Sequence, residues 1–321
     1  MPEKLLQVED LTVYFETLRG YVKAAEDVTF ELAKGHTLGL AGESGCGKTT
    51  TALALLRLLP SNGRIIKGKV ILEGEEISKI NSEKFRKQVR WKKISMVFQG
   101  AMNSLHPIKT VGDQISEAIT VHENISQKEA EERAGKLLEL VGVGAERISR
   151  YPHELSGGMK QRAVIAMALA CNPSLIIADE PTTALDVIVQ TQVMKVIKEL
   201  QEKLNLSMMM ISHDLSLIAE TSTEIAIMYA GNIVEYADSV TIFKEPLHPY
   251  TQRLIGAFPS ILGPKIELST IPGFPPDLIS PPNGCRFHPR CPYAMDLCKK
   301  DAPLLKNVDT KTHLVACHLV N

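Results

Sequence analysis

The chain has 321 residues, 44% of them hydrophobic and 23% charged, with a formal net charge of −1. This is the composition of a globular protein of one large or two ordinary domains, and a charge so near zero gives no global electrostatic reason to expect nucleic acid or anionic lipid as a partner. No apolar run approaches the roughly 18–20 residues that cross a bilayer, and the opening MPEKLLQVED lacks the basic start and apolar core of a secretory signal, so a cytosolic protein is expected.

In chain order, LLQVEDLTVYF (residues 5–15) alternates as a half-buried strand does, and VTFELAKGHTLGLAG continues in the same style. Its last part, TLGLAG, reads as a short buried strand running into glycines. KTTTALALLRLL predicts a helix stopped by Pro60, with SNGRIIKG turning the chain back and KVILEGEEI forming the next strand. From about 112 to 170 the pattern is mostly helical, with amphipathic stretches QKEAEERAGKLLELVGV and GGMKQRAVIAMALA. SLIIADE predicts a second buried strand, VIVQTQVMKVIKELQEKL a helix, and SMMMISHD a third buried strand. Buried strands alternating with helices imply an α/β fold with a parallel sheet covered on both faces, to which the strand-like opening adds an antiparallel layer. After about residue 244 the texture turns Pro- and Gly-rich (HPYTQRL, IPGFPPDLISPPNG), which places a boundary between 240 and 265.

GESGCGKT, residues 42–49, fits the P-loop pattern G-x-x-x-x-G-K-[ST] and lies between a predicted strand and a predicted helix, the context that pattern requires. Gly42, Glu43, Ser44, Gly45, Cys46 and Gly47 would wrap a polyphosphate with backbone N–H groups, and the following helix, entered through Thr49 and Thr50, would offer its positive end. Lys48 would neutralise the β- and γ-phosphates and Thr49 would ligate Mg²⁺. LIIADE supplies the other half. Four apolar residues carry a strand through the core, Asp179 emerges at its carboxyl end to reach the Mg²⁺, and Glu180 is the natural general base for a water attacking the γ-phosphate.

LSGGMKQR, residues 155–162, precedes that strand and forms a second Gly-rich turn into a helix, a second anion cradle that makes sense if it serves a nucleotide bound by another subunit. With the P-loop, VFQ ending at Gln99, LSGGMKQR, LIIADE, ALD at 184–186 and ISHD with His213 in this order, the chain resembles the ATP-binding subunits of ABC transporters over nearly its whole length. The resemblance implies a P-loop NTPase with a RecA-like parallel sheet core, an antiparallel β layer and a helical subdomain at about 100–170, all within residues 1–250. It implies further that Gln99 contacts Mg²⁺ and the lytic water, and that Ser156, Gly157 and Gly158 cap the γ-phosphate across a head-to-tail dimer. Asp186 would link the two sites, and His213 would hold the γ-phosphate and Glu180. An aromatic ring stacks on adenine in this family, for which Phe15 or Tyr14 fits the spacing best, with Tyr21 as a further candidate.

GESGCGKT, SGGMKQR, DEPTTALDV and PLHPYTQRL together look like the oligopeptide, dipeptide and nickel importer branch. The resemblance implies an ATPase driving peptide uptake from the cytoplasmic face of the membrane, with nickel import or a non-transport role as alternatives. Its expected partners are a second, related ATPase subunit, two integral membrane permease subunits and, through them, an extracellular solute-binding protein. The chain departs from the branch after Gln99, where QGAMNSLHP carries Gly100, Ala101 and His106 in the loop that faces the permease, and Lys160 stands where an arginine is common.

Four of the six cysteines, Cys285, Cys291, Cys298 and Cys317, fall in the last segment, residues 251–321, spaced C-x5-C-x6-C-x18-C. A reducing cytosol disfavours disulfides, and the paired C-x2-C knuckles of zinc ribbons are missing. Irregular all-cysteine sets suit iron–sulfur clusters, and the extension is similar to ones in the branch that bind a four-iron four-sulfur cluster. These four are therefore expected as cluster ligands, with zinc or unliganded thiols as alternatives. A structural staple is the first role expected of such a centre, because a short Pro-rich segment buries little core, and redox sensing the second.

Overall fold

Alternating apolar residues do make the opening strand: β1 (Lys4–Thr17) is followed by β2 (Gly20–Ala33), β3 (Thr37–Ala41) and α1 (Lys48–Leu55) in a computed structural model that describes residues 3–183, 185–257, 271–308 and 312–320. The chain continues through β4 (Gly63–Leu72), β5 (Glu75–Glu76), α2 (Ser82–Gln88), β6 (Ile94–Val97), α3 (Val111–His122), α4 (Gln127–Leu140) and α5 (Gly157–Ala168). Then come β7 (Leu175–Asp179), α6 (Val187–Leu204), β8 (Ser207–Ile211), α7 (Leu215–Thr221), β9 (Glu224–Tyr229) and β10 (Asn232–Asp238). The last elements are α8 (Ser239–Lys244), α9 (Pro249–Gly256), α10 (Asp296–Lys300), β11 (Lys306–Asn307) and β12 (Leu314–Val315).

The elements fall into two compact units. The P-loop unit comprises Leu6–Leu32, Thr37–Ser78 and Ile211–Asn321. It carries the sheet β2-β1-β4-β5 and the strand series β11-β12-β10-β9-β3. In that series β3 runs parallel to β9, from Leu38 opposite Glu224 to Ala41 opposite Ile227, and β9, β10, β12 and β11 are antiparallel neighbours. Every residue of β3 is buried, as is all of β9 except Glu224, as expected for strands covered on both faces. The hairpin β9–β10, turning at Ala230 and Gly231, has no counterpart in the sequence reading.

SNGRIIKG turns the chain at its start, where the Gly63 N–H donates to the Pro60 carbonyl at 2.8 Å. From Gly63 onward it belongs to β4, which pairs antiparallel with β1 from Phe15 opposite Gly63 to Leu6 opposite Leu72. The glycines there permit close approach. A Cβ on Gly68 would lie 2.7 Å from Leu11 Cα, where the β1 register shifts between Glu9 and Thr12, and one on Gly63 would lie 2.9 Å from the Phe15 ring.

The second, helical unit comprises Ala33–His36 and Lys79–Met210, with the first strand residues through Leu5. Within it β8, β7 and β6 lie side by side, and β6 and β7 are parallel, Ile94 opposite Leu175 through Val97 opposite Ala178. Its helices start where the sequence supplies caps. Thr110 with Asp113 and Ser126 with Glu129 form capping boxes at α3 and α4, and Asp186 caps α6, each cap contributing about 1 kcal/mol. Among the described residues no helix is long and apolar enough to cross a membrane.

Candidate active site

In the P-loop unit the buried β3 delivers Gly42 directly into the loop, and α1 begins at Lys48. Two loop glycines are required by geometry. Gly42 sits at φ 148 and Gly47 at φ 108, and a Cβ would fall 2.1 Å from the Met228 carbonyl oxygen and 2.3 Å from the Ala24 carbonyl oxygen respectively. Gly47 is the N-cap of α1 and offers no side chain, so the first amides of α1 are not capped by it and remain suited to an anion. Lys48 is 7% exposed and its ammonium donates to the carbonyls of Gly42 at 2.8 Å and Glu43 at 3.0 Å, which places a cation inside the loop. Burial pushes the Cys46 thiol above its ordinary value, with Lys48 opposing, so it stays protonated and unreactive. Ser44, Gly45 and Thr49 are exposed and Thr50 half-buried.

Of the three aromatic candidates in this unit, Tyr14 is committed elsewhere: its hydroxyl donates to the Glu26 carboxylate, and burial, then Glu26, pushes it up to about 12. Phe15 is half-buried with its ring against Gly63, and Tyr21 is exposed. His213, also in this unit, is exposed after β8, ahead of Asp214, which caps α7.

In the helical unit Asp179 ends β7 and is 2% exposed, while Glu180 follows in the left-handed region at φ 46. A non-glycine residue there is strained, and such strain gathers at functional positions. The strain aims the Glu180 carboxylate so that one oxygen accepts from Gln99 Nε2 at 2.7 Å and from the Thr183 hydroxyl at 3.0 Å. Thr183 was not legible as a partner. Ser156 caps α5, accepting from the Met159 N–H at 3.4 Å, and both Ser156 and Gly157 are exposed. Gly158 is buried because α6 passes close: a Cβ would lie 2.5 Å from Val189 Cγ1. Asp186 is exposed and holds the Val189 N–H at 2.9 Å; Ala184 of the same motif lies outside the described residues. In the divergent QGAMNSLHP stretch, Gly100 adopts φ 67, and the side chain of Gln114 ties the loop by accepting from the His106 N–H at 2.7 Å and donating to the carbonyls of His106 at 3.2 Å and Lys109 at 3.1 Å.

The cysteine-rich segment requires a correction. Cys285 is pushed up to about 11, mainly by burial, with Cys298, Cys317 and Cys291 adding smaller contributions, so these thiols do gather. Yet among the described residues no group of three or more His, Cys, Asp or Glu side chains could hold a metal ion. The expected role of Cys285, Cys291, Cys298 and Cys317 as ligands of an iron–sulfur cluster, or of zinc, therefore finds no support in the structure. The segment is fastened by several contacts that involve no metal. Phe287, 1% exposed, packs against Tyr229 and Tyr250 with ring centroids 5.1 and 5.4 Å away, and the Arg286 guanidinium donates to Glu26 and to the Ala230 carbonyl. The fully buried Glu235 accepts from the N–H groups of Leu247 at 2.8 Å and His248 at 3.0 Å and pairs with His313 Nε2 at 2.8 Å.

The chain is similar to known proteins along nearly its whole length. A family model described as ABC transporter matches residues 25–183, and one described as the C-terminal region of the oligopeptide/dipeptide transporter matches residues 234–298. The dipeptide transport ATP-binding protein of Bacillus subtilis is 43% identical over 320 residues, 99% of this chain and 95% of that protein. The oligopeptide transport ATP-binding protein of Escherichia coli is 45% identical over 304 residues, 94% of this chain and 90% of that protein. Among solved structures, the dimeric structure of MJ0796, a bacterial ABC transporter cassette, aligns with a TM-score of 0.65 at 25% identity, over 73% of this chain and 99% of that one.

Proposed function

Because the chain belongs to the ATP-binding subunits of ABC transporters, in the oligopeptide/dipeptide branch, we propose that it hydrolyses ATP to drive a peptide importer. The observation that carries the hydrolytic part is the strained Glu180 carboxylate, steadied by Gln99 and Thr183 one residue past Asp179. In this reading the amides of residues 42–49 receive the β- and γ-phosphates, and the Lys48 ammonium exchanges its loop carbonyls for phosphate oxygens. Glu180 takes the proton as water attacks the γ-phosphorus in line, the new O–P bond forming as the bond to the bridging oxygen of ADP breaks. His213 steadies the γ-phosphate and Glu180, and Phe15 is the ring that stacks on adenine.

Oxygen donors of this kind suit Mg²⁺, and the Thr49 hydroxyl, the Gln99 amide and the Asp179 carboxylate are the residues that would hold it, Asp179 through water. When bound, the ion neutralises β- and γ-phosphate oxygens. Ser156 and Gly158 serve the triphosphate of a second subunit, and Asp186 links the two sites. The exposure of Ser156 and of the small Gly157 beside it, at the uncovered start of α5, supports that reading.

Residues 1–250 form the nucleotide-binding domain and residues 251–321 an extension to it. The partners are a related ATPase subunit and two permease subunits, with a solute-binding protein beyond them, and the chain works at the cytoplasmic face of the membrane. Exposed Phe98 and Ile108 on either side of the divergent loop, and Val187 and Ile188 at the start of α6, offer apolar surface for such partners. Peptide is favoured over nickel as cargo by the names of the relatives. Vesicles holding the permease and both ATPases, with the solute-binding protein outside, should import labelled dipeptide only when ATP is supplied inside. Import of nickel ions but not peptide would transfer the assignment to the alternative cargo, and ATPase activity with no permease association would favour a non-transport role.

A further inference from the structure

Glu43, directly after Gly42 in the P-loop, is gripped from three directions. Its N–H donates to the Tyr250 hydroxyl at 2.9 Å, and its carbonyl accepts from Lys48 Nζ at 3.0 Å. Its carboxylate takes two parallel bonds from Arg290, Nη1 to Oε2 at 2.7 Å and Nη2 to Oε1 at 3.0 Å. The two outside partners, Tyr250 of α9 and Arg290 of the C-terminal segment, cannot shift without repacking. Tyr250 is 0% exposed. Arg290 donates through Nε to the Pro272 carbonyl at 2.9 Å and through Nη2 to the Gly273 carbonyl at 3.4 Å, and its guanidinium lies 5.7 Å from the centre of the Tyr229 ring.

The charge arrangement goes beyond fastening. A carboxylate in a loop built for a triphosphate repels its own ligand, and Arg290 is the cation that cancels it. We propose that Arg290 and Tyr250 are positioning residues for nucleotide binding: through Glu43 they fix the P-loop backbone that presents Lys48, and Arg290 masks a carboxylate that would otherwise oppose the phosphates. This rests on the P-loop being the ATP site.

The full-length chain is purified as wild type, Arg290→Gln, Arg290→Lys, Tyr250→Phe and the double variant Arg290→Gln with Glu43→Gln. MgATP affinity is measured by calorimetry at about 50 mM and about 500 mM salt, with the KM for ATP followed in the assembled transporter. An uncancelled unit charge beside a polyanion shifts affinity by roughly ten- to a hundredfold. Arg290→Gln should weaken binding by that factor at low salt and by less at high salt, where repulsion is screened. It should raise KM with little change in kcat, and the double variant should recover most of the loss. Arg290→Lys should fall between, and Tyr250→Phe should weaken binding a few-fold at either salt. Arg290→Gln binding within twofold of wild type, or weakened binding that the Glu43→Gln change does not restore, would overturn the inference while leaving the ATPase assignment intact. Should Arg290→Gln fail to fold, unchanged affinity in both Arg290→Lys and Tyr250→Phe overturns it equally. A wild-type chain that binds no MgATP would overturn the proposed function and this inference together.

Discussion

Replacing Glu180 by glutamine separates chemistry from structure at the proposed base. Glutamine keeps the size of the side chain and an acceptor oxygen, so Gln99 at 2.7 Å and Thr183 at 3.0 Å can still donate to it. The backbone at φ 46 strains either residue alike, so the substitution leaves folding stability within about 0.5 kcal/mol. What disappears is the proton acceptor. A positioned general base contributes roughly 10²- to 10⁴-fold, about 3–5 kcal/mol of barrier. Single-turnover hydrolysis of labelled ATP by the assembled transporter should therefore slow by at least a hundredfold, while MgATP binding holds within a few-fold and nucleotide stays trapped. Hydrolysis within tenfold of wild type would remove Glu180 from the role of base, and a large loss of binding would show that it holds the loop structure.

Other expectations follow from the same packing. Gly42→Ala, whose Cβ would fall 2.1 Å from the Met228 carbonyl oxygen, should abolish measurable ATP binding, whereas Gly45→Ala, with open space at its Cβ, should meet only the backbone strain of about 1–2 kcal/mol at φ 78; equal binding by the two would refute the packing argument. Glu235→Ala orphans the donors of Leu247, His248 and His313 inside the protein and should cost about 3–5 kcal/mol, read as a lowered thermal midpoint; a loss below about 1 kcal/mol would contradict it. Burial takes His248 from 6.5 down to about 3, so the unfolded chain binds its proton first. Its contribution is complete above about pH 6.5 and drains away as pH falls toward 3. Between pH 6.5 and 5 that is roughly 2 kcal/mol, so His248→Asn should show a correspondingly flatter acid profile in urea unfolding, and parallel profiles would refute the assignment.

The residues proposed for hydrolysis stood out because each sits in a short, contiguous pattern whose chemistry follows from strand, turn and helix. GESGCGKT and LIIADE carry that context within a dozen residues, and the structure places Lys48 and Asp179 at the element ends so implied. The wiring of the C-terminal segment was unreadable for the opposite reason. Arg290 meets Glu43 across 247 residues, and Glu235 meets His313 across 78, so no local period announces either pair. HPYTQRL served only to mark a boundary and a branch, whereas in the structure His248 caps α9 and Tyr250 reaches the P-loop. The contacts of Phe287 and Arg286 that fasten the cysteine-rich segment were not foreseen, because three aromatic rings from distant positions leave no mark in spacing. SNGRIIKG holds both a turn and the start of β4, and glycine marks a turn and a close strand crossing with the same letter.

The pairing of β12 with β10 has a consequence for how the chain is made. Strand β3, which feeds the P-loop, is joined through β9 and β10 to a strand at Leu314–Val315, so the layer is complete only once Val315 has been made. At about 5–20 residues per second, a ribosome spends roughly 4–15 s between Asp238, the end of β10, and Val315. Throughout that interval the edge of β10 is open to a neighbouring nascent chain, so heat-shock holdases and translation speed should govern the yield of this subunit more than its finished stability does.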